Sequence, residues 1–213
     1  MATLQQAIDR ARSILNDRDG ANYRYSDSDL LSFANDALDA IALVRPELFY
    51  SAAEITCIQD EIVQRFDVAD SLGLVDILYV EGGGAVTKTE RDVLNRIRPG
   101  WPLEAAGTAQ HWMRLADDPN RFLIYPKAPA NQKLVGLYVK KPPEYAANDT
   151  ILLPDSYVQT IAKYIVAMAE GRNDEAAALA RSAAFLEAFY NELGAAKQTS
   201  TAGQKALPQS VEK

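Results

Sequence analysis

The sequence predicts an α+β chain, mainly helical: a four-helix bundle formed by N- and C-terminal helix pairs, with a β-rich insertion and an extended C-terminal tail. Three observations lead there. Both ends carry apolar residues at three- and four-residue steps, the repeat of one helical face. The middle alternates polar with β-branched and aromatic residues between Gly, Pro and Asp clusters, as short strands do. The last residues are small and polar, with no periodicity. Helix pairs at opposite ends of a chain can bury their stripes on each other, which makes a bundle the economical arrangement. The expected divisions are 1–50 and 151–196 for the helix pairs, 51–150 for the insertion and 197–213 for the tail.

From Thr3 to Asp17, the residues Leu4, Ala7, Ile8, Ala11, Ile14 and Leu15 draw one stripe, with Thr3 as cap and Gly20 as terminator. A stronger helix follows in "SDSDLLSFANDALDAIALVRP", whose Ser/Asp-rich start supplies acceptors for the first-turn amides. Leu30, Leu31, Ala34, Leu38, Ile41 and Ala42 form its apolar face, and Pro46 stops it. Strands are expected in "AEITCIQ" and "EIVQRFDV", around a turn at Gln59–Asp60. "LVDILYVEGGGAVTK" reads as a hairpin turning at Gly82–Gly84, and "TERDVLNRI" as a short helix capped by Thr89 and ended near Pro99–Gly100. "HWMRLA" and "RFLIYP" flank "DDPN", where Pro at the second turn position after Asp signals a type I turn. "KLVGLYVKK" adds a third strand.

The last third returns to helix. "LPDSYVQTIAKYIVAMAEGR" places Tyr157, Ile161, Ile165 and Met168 at helical spacing, with Asp155 or Ser156 near the cap. "NDEAAALARSAAFLEAFYNELG" repeats Leu179, Ala183, Leu186, Tyr190 and Leu193 and closes at Gly194. "QTSTAGQKALPQSVEK" then forms the tail.

Composition narrows the function classes. Hydrophobic residues make up 48% of the 213 and charged residues 24%, enough for a real core. A formal charge of −7 argues against general nucleic-acid binding, which needs a lysine and arginine surplus. The single cysteine, Cys57, permits no internal disulfide and reads as a small buried strand residue. One Cys and one His make a zinc site of the usual nitrogen/sulfur type untenable, and no cofactor is expected. The first residues form no signal peptide, and no apolar run approaches the roughly 18 residues of a membrane span. Synthesis in the cytoplasm and no membrane partner are therefore expected.

His111 is the one imidazole, so an enzyme using it as general base is the first rival reading. On a strand, however, His111 and Met113 share one face while Trp112 and Arg114 take the other. Asp117 and Asp118 then lie about 18 Å or more along the strand, too far for a direct hydrogen bond. Adjacent acids before Pro-Asn are turn formers, and "EGGGAV" lacks the Lys-Ser/Thr ending of a phosphate loop. No G-x-S-x-G, H-E-x-x-H or C-x-x-C occurs. A monomeric small-molecule binding module is the other rival, without a ligand-specific motif to support it. The aromatics Trp101, Trp112, Phe122, Tyr125 and Tyr138 admit two roles, packing of a small sheet or an interface patch.

As an ordered series, "SDSDLLSFANDALDAIALVRPELF", "RPGW" at 98–101, "DDPNRFLIYP", "VKKPPE" and "LPDSYVQTIAKYIVAMA" resemble the adaptor (head-to-tail connector) proteins of tailed bacteriophages. The closest likeness is to adaptors of short-tailed phages, similar in plan to tail tubular protein A, over Ser26 to Leu193. The resemblance implies a structural virion protein and no enzyme: a helical bundle with a β-rich insertion, assembled as a twelvefold ring of copies of itself at the virion neck. Its implied partners are the portal protein above and the tail nozzle or tube below, with DNA only as cargo passing through the lumen. An acidic balance suits such a channel. Carried onto this chain, the tail becomes a portal-docking arm, with Gln198, Thr201, Gln204, Leu207 and Val211 as its candidate contacts. The hairpin supplies Trp112, Asp118, Arg121, Phe122 and Tyr125 as candidate inter-subunit or tail contacts, and the "EGGGAV" turn is a further candidate.

Overall fold

The computed structural model describes residues 2–20, 22–172 and 176–205, an α+β arrangement with five α-helices and two sheets among them. The helices are α1 (Leu4–Leu15), α2 (Asp27–Val44), α3 (Arg91–Ile97), α4 (Tyr157–Gly171) and α5 (Ala176–Lys205). The strands are β1 (Tyr50–Thr56), β2 (Val63–Arg65), β3 (Ser71–Val80), β4 (Thr87–Lys88), β5 (His111–Arg114), β6 (Arg121–Tyr125) and β7 (Lys133–Lys140). One-turn 3-10 helices cover Pro46–Phe49 and Trp101–Leu103. The chain divides into two units, Met1–Leu48 with Pro142–Lys213, and Phe49–Lys141.

In the helical unit, α1 starts on a capping box. The Thr3 hydroxyl accepts from the Gln6 amide, and the Gln6 side chain accepts from the Thr3 amide. The helix ends at Asn16, which takes the left-handed conformation at φ 54°, and not at Gly20 as expected. The loop beyond it is organised by Arg12, whose buried guanidinium donates to Asp17 and Asp27 at 2.6 Å each and to the Tyr25 carbonyl at 3.0 Å. Ser26 caps α2 by accepting from the Asp29 amide. Both faces of the Asn35 amide hold Tyr145, pinning the segment before α4 to α2.

Helix α4 is buried nearly all round, through Val158, Ile161, Ala162, Ile165, Val166, Ala167 and Ala169, because it packs against α1, α2 and α5 together. Helix α5 departs from expectation twice. Among its described side chains Ala178, Phe189 and Leu193 are buried; of the expected stripe Leu193 is inside, while Leu179 and Tyr190 stay about half exposed, at 49% and 46%. Phe189, with no polar group to keep in water, is the ring that turns inward, 5.0 Å from Tyr164, while the neighbouring Tyr190 keeps its hydroxyl end outward. The helix also continues through Gly194 to Lys205, where an extended tail was expected. Ala195, Ala196, Lys197 and Gln198 are strong helix formers and carry the helix past Gly194.

The β-rich unit holds two sheets, ordered β1-β7-β3 and β2-β6-β5-β4. β1 and β2 do not pair across the Gln59–Asp60 turn. β1 lies antiparallel to β7, and β2 antiparallel to β6 in the other sheet. The Gly82–Gly84 turn forms, with Gly82 at φ 68° and the Gly83 amide donating to the Val80 carbonyl at 2.8 Å. Its return limb soon departs, and β4 pairs parallel with β5. Thr89 does not cap α3: its amide donates to the Trp112 carbonyl at 2.9 Å as the chain leaves β4, and Glu90 takes the cap position without a side-chain bond. β7 joins β1 and β3, not the β5–β6 hairpin it follows.

Candidate functional site

The hairpin β5–β6 carries half of the residues singled out from the sequence. Its register pairs Trp112 with Ile124 and Arg114 with Phe122, which sets those four on one face. Trp112 and Phe122 meet edge to face at 6.4 Å, and both are fully buried with Phe66, Leu74, Ile77 and Leu134. The indole N–H donates to Asp76 at 2.8 Å. The opposite face sends Met113, Leu123 and Tyr125 into a second core with Leu94 and Trp101. A strand pair covered on both faces exposes none of its central side chains. Trp112 and Phe122 are therefore side chains packed inside the β-rich unit.

Tyr125 is also buried, and its hydroxyl is engaged. It accepts from Arg98 and donates to the Glu104 carboxylate, each at 2.6 Å. The hydrogen bond to Glu104, then burial, pushes the Tyr125 phenol above its usual range. Arg98 is held above its own, chiefly by the bond to Tyr125. This trio ties α3 and the Trp101–Leu103 turn to the end of β6.

At the tip, the Arg121 amide donates to the Asp118 carbonyl at 3.1 Å and the Asn120 amide to the Asp118 carboxylate at 2.8 Å. These bonds make the Asp-Pro-Asn turn. The tip is sewn inward as well: the Pro119 and Asn120 carbonyls accept from the Leu74 and Phe66 amides at 3.1 and 2.7 Å. Asp118 is half-buried with one carboxylate oxygen taken by the turn, and Asp117 and Arg121 beside it are exposed.

His111 stacks on the Tyr125 ring at 6.2 Å, with its Nδ1 buried and without a hydrogen-bond partner. The acids of the turn lie beyond the far end of β5. No group of three or more His, Cys, Asp or Glu residues suited to a metal ion occurs among the described residues. Among them, too, no helix is long and apolar enough to cross a membrane. Cys57 is buried, which raises its thiol pKa, and it accepts from Gln132 at 3.8 Å.

Of the expected docking arm, Gln198, Thr201 and Gln204 lie on the last turns of α5, and Gln198 is exposed. Leu207 and Val211 lie outside the described residues. One feature of the helical unit had no sequence signal. A cavity of about 420 Å³ is lined by Arg45, Ser156, Tyr157, Gln159, Thr160, Glu192, Leu193 and Ala196. Arg45, at the end of α2, is only 4% exposed.

Fold and site together define a two-unit α+β protein whose singled-out aromatics serve architecture. The chain belongs to the SU10 adaptor protein family, whose model matches residues 2–209. That family is one of phage head-to-tail adaptors, structural proteins of the virion neck, with portal and tail as partners in general terms. No curated protein matches the chain.

Proposed function

We propose that this protein forms a ring, of twelve copies, below the portal and connects it to the tail nozzle or tube, with a lumen through which DNA passes. The observation that carries the reading is the family match over residues 2–209. The plan is that of tail tubular protein A: α1, α2, α4 and α5 act as one four-helix bundle, and the β-rich unit is carried between its halves. Asp118 and Arg121 at the hairpin tip contact a neighbouring copy or the tail, with Trp112, Phe122 and Tyr125 holding the tip in shape from within. The residues from Gln198 to Lys213 dock on the portal, Gln198, Thr201 and Gln204 from the end of α5. Around a ring, individually weak contacts gain effective concentration, so each copy can bind weakly and the assembly firmly. The net charge of −7 supports a lumen that does not hold DNA.

Truncation after Lys197 tests this. The shortened chain is expected to keep its thermal midpoint and to lose attachment to portal-bearing heads in a sedimentation assay. Normal occupancy of the neck by truncated protein, seen by electron microscopy of particles, would overturn the docking role.

A further inference from the structure

We propose that the outer edge of β1 is a docking edge for an extended, basic segment of a partner polypeptide other than this chain. The β1–β7 ladder fixes which backbone groups face outward. The Cys57 amide donates to the Gln132 carbonyl at 2.8 Å, and the register runs on from that pair without a shift. Bonded pairs alternate in an antiparallel ladder, so Ser51, Ala53 and Ile55 spend their N–H and C=O groups on β7. Tyr50, Ala52, Glu54 and Thr56 therefore turn theirs away from it. Lys133, opposite Thr56, shows the same phase: its carbonyl points away from β1 and accepts from the Glu81 amide at 2.9 Å. The outward residues are all exposed, and their backbone groups have no hydrogen-bond partner among the described residues.

The other edges are closed or short. On β3, the Leu74 and Val80 amides donate to the Pro119 and Gly84 carbonyls at 3.1 and 3.0 Å, and Arg114 donates to the Leu74 carbonyl. Register shifts also break β3, whereas β1 keeps its register over all seven residues. β2 and β4 span only three and two residues. A long, regular edge without Lys, Pro or bulge is a template for another strand. Main-chain bonds would hold that strand, and its alternating side chains would set its chemistry. On one face, Ala53 packs at the margin of the core around Trp112, beside buried Ile55, so an apolar side chain there would extend that core. On the other face one ammonium serves two carboxylates, with Lys133 at 3.5 Å from Glu54 and 3.3 Å from Glu81. A lysine or arginine on the added strand would supply the missing charge. A second copy of this chain would not. Among the described strands its one long free edge is β1 itself, and two β1 strands aligned antiparallel over their whole length place both Glu54 side chains on one face. Like charges so placed oppose pairing. The place of this contact in the virion neck rests on the adaptor reading above; the strand-accepting edge does not.

Amide hydrogen exchange, followed by NMR on the full chain, tests this. In the free protein the Tyr50, Ala52, Glu54 and Thr56 amides should exchange at least about tenfold faster than those of Ser51, Ala53 and Ile55. The probe is acetyl-Thr-Val-Lys-Val-Thr-Val-Lys-amide, which is expected to slow the outward amides saturably by about tenfold. A counterpart N-methylated throughout should give no protection, and one with Glu in place of Lys should bind about tenfold more weakly. Ala52→Pro removes an outward N–H and no bond to β7, so it should weaken the probe by about tenfold at an unchanged thermal midpoint. Should that variant misfold, the N-methylated peptide still decides. Outward amides already protected in the free chain, protection that never saturates, or equal binding of the N-methylated or Glu peptide would overturn the proposal. So would protection that grows with protein concentration alone, which would make a second copy the occupant. Absence of the protein from the virion neck would sink the adaptor reading and leave this titration standing.

Discussion

Tyr125 shows how a side chain that looks like a contact residue can instead be a tie. Its hydroxyl joins Arg98 and Glu104 at 2.6 Å each, which fastens the Trp101–Leu103 turn against β6. Because the bond to Glu104 and burial favour the neutral phenol, the folded pKa lies above the unfolded one. Stability from this group is therefore complete below the unfolded value of about 10 and is lost as the pH rises through the raised folded value. Tyr125→Phe should lower the urea midpoint by a constant amount between about pH 7 and 9, and the gap to wild type should close above about pH 10. A gap unchanged in strongly alkaline buffer would mean that the phenol does not titrate under this influence. The sequence could mark Tyr125 as a strand aromatic, but the bond runs to residues 21 and 27 positions away, which no local pattern encodes.

Strand β7 makes the same point for whole elements. Its alternation and β-branched content made it legible as a strand, yet its neighbours, β1 and β3, are distant in sequence and follow from packing. Helices α1 and α2 were legible nearly to their ends, because caps and stripes are local chemistry: Thr3, Ser26 and Pro46 fall at or within two residues of the observed limits. Helix α5 was legible as a helix but only partly in its buried face: Leu193 lies inside as expected, while Phe189 takes the place expected of Tyr190. Among the candidate contacts, the hairpin turn could be read from Asp-Pro-Asn, whereas the sequence left Trp112 and Phe122 between packing and contact, because cover on both faces of the sheet comes from distant residues. Gly136 was the one signal in β7 that local reading could have used, since an isolated strand glycine marks close approach. A Cβ there would stand 2.7 Å from the Phe66 ring and 3.1 Å from Leu74. Gly136→Ala is therefore expected to cost about 1–3 kcal/mol by overpacking, measured by urea denaturation. Adding Phe66→Leu should recover part of that loss, and a neutral Gly136→Ala would show that the ring yields freely.

For the whole molecule, the organisation in two units implies that the β-rich unit folds by itself. Phe49–Lys141 is one continuous stretch, entered through β1 and left through β7. Those strands are antiparallel partners, with Tyr50 opposite Val139 and Ser51 opposite Tyr138, so the ends of the stretch meet at about the 5 Å spacing of paired strands. A segment whose ends already lie together loses little when cut out, because no loop closure depends on the rest of the chain. Its two cores close on residues of the same stretch, one around Trp112 and Phe66 and one around Trp101 and Met113. Both tryptophans of the chain lie here, so tryptophan emission of the full protein, excited selectively over tyrosine, reports on this unit. With Trp112 fully buried and Trp101 at 5% exposure, a fragment of residues 49–141 should emit at the blue-shifted wavelength of the full chain. It should also unfold in urea as one cooperative transition. Red-shifted emission without a cooperative transition would show instead that the two sheets depend on the helices for their structure, and the adaptor would then have to be treated as one folding unit.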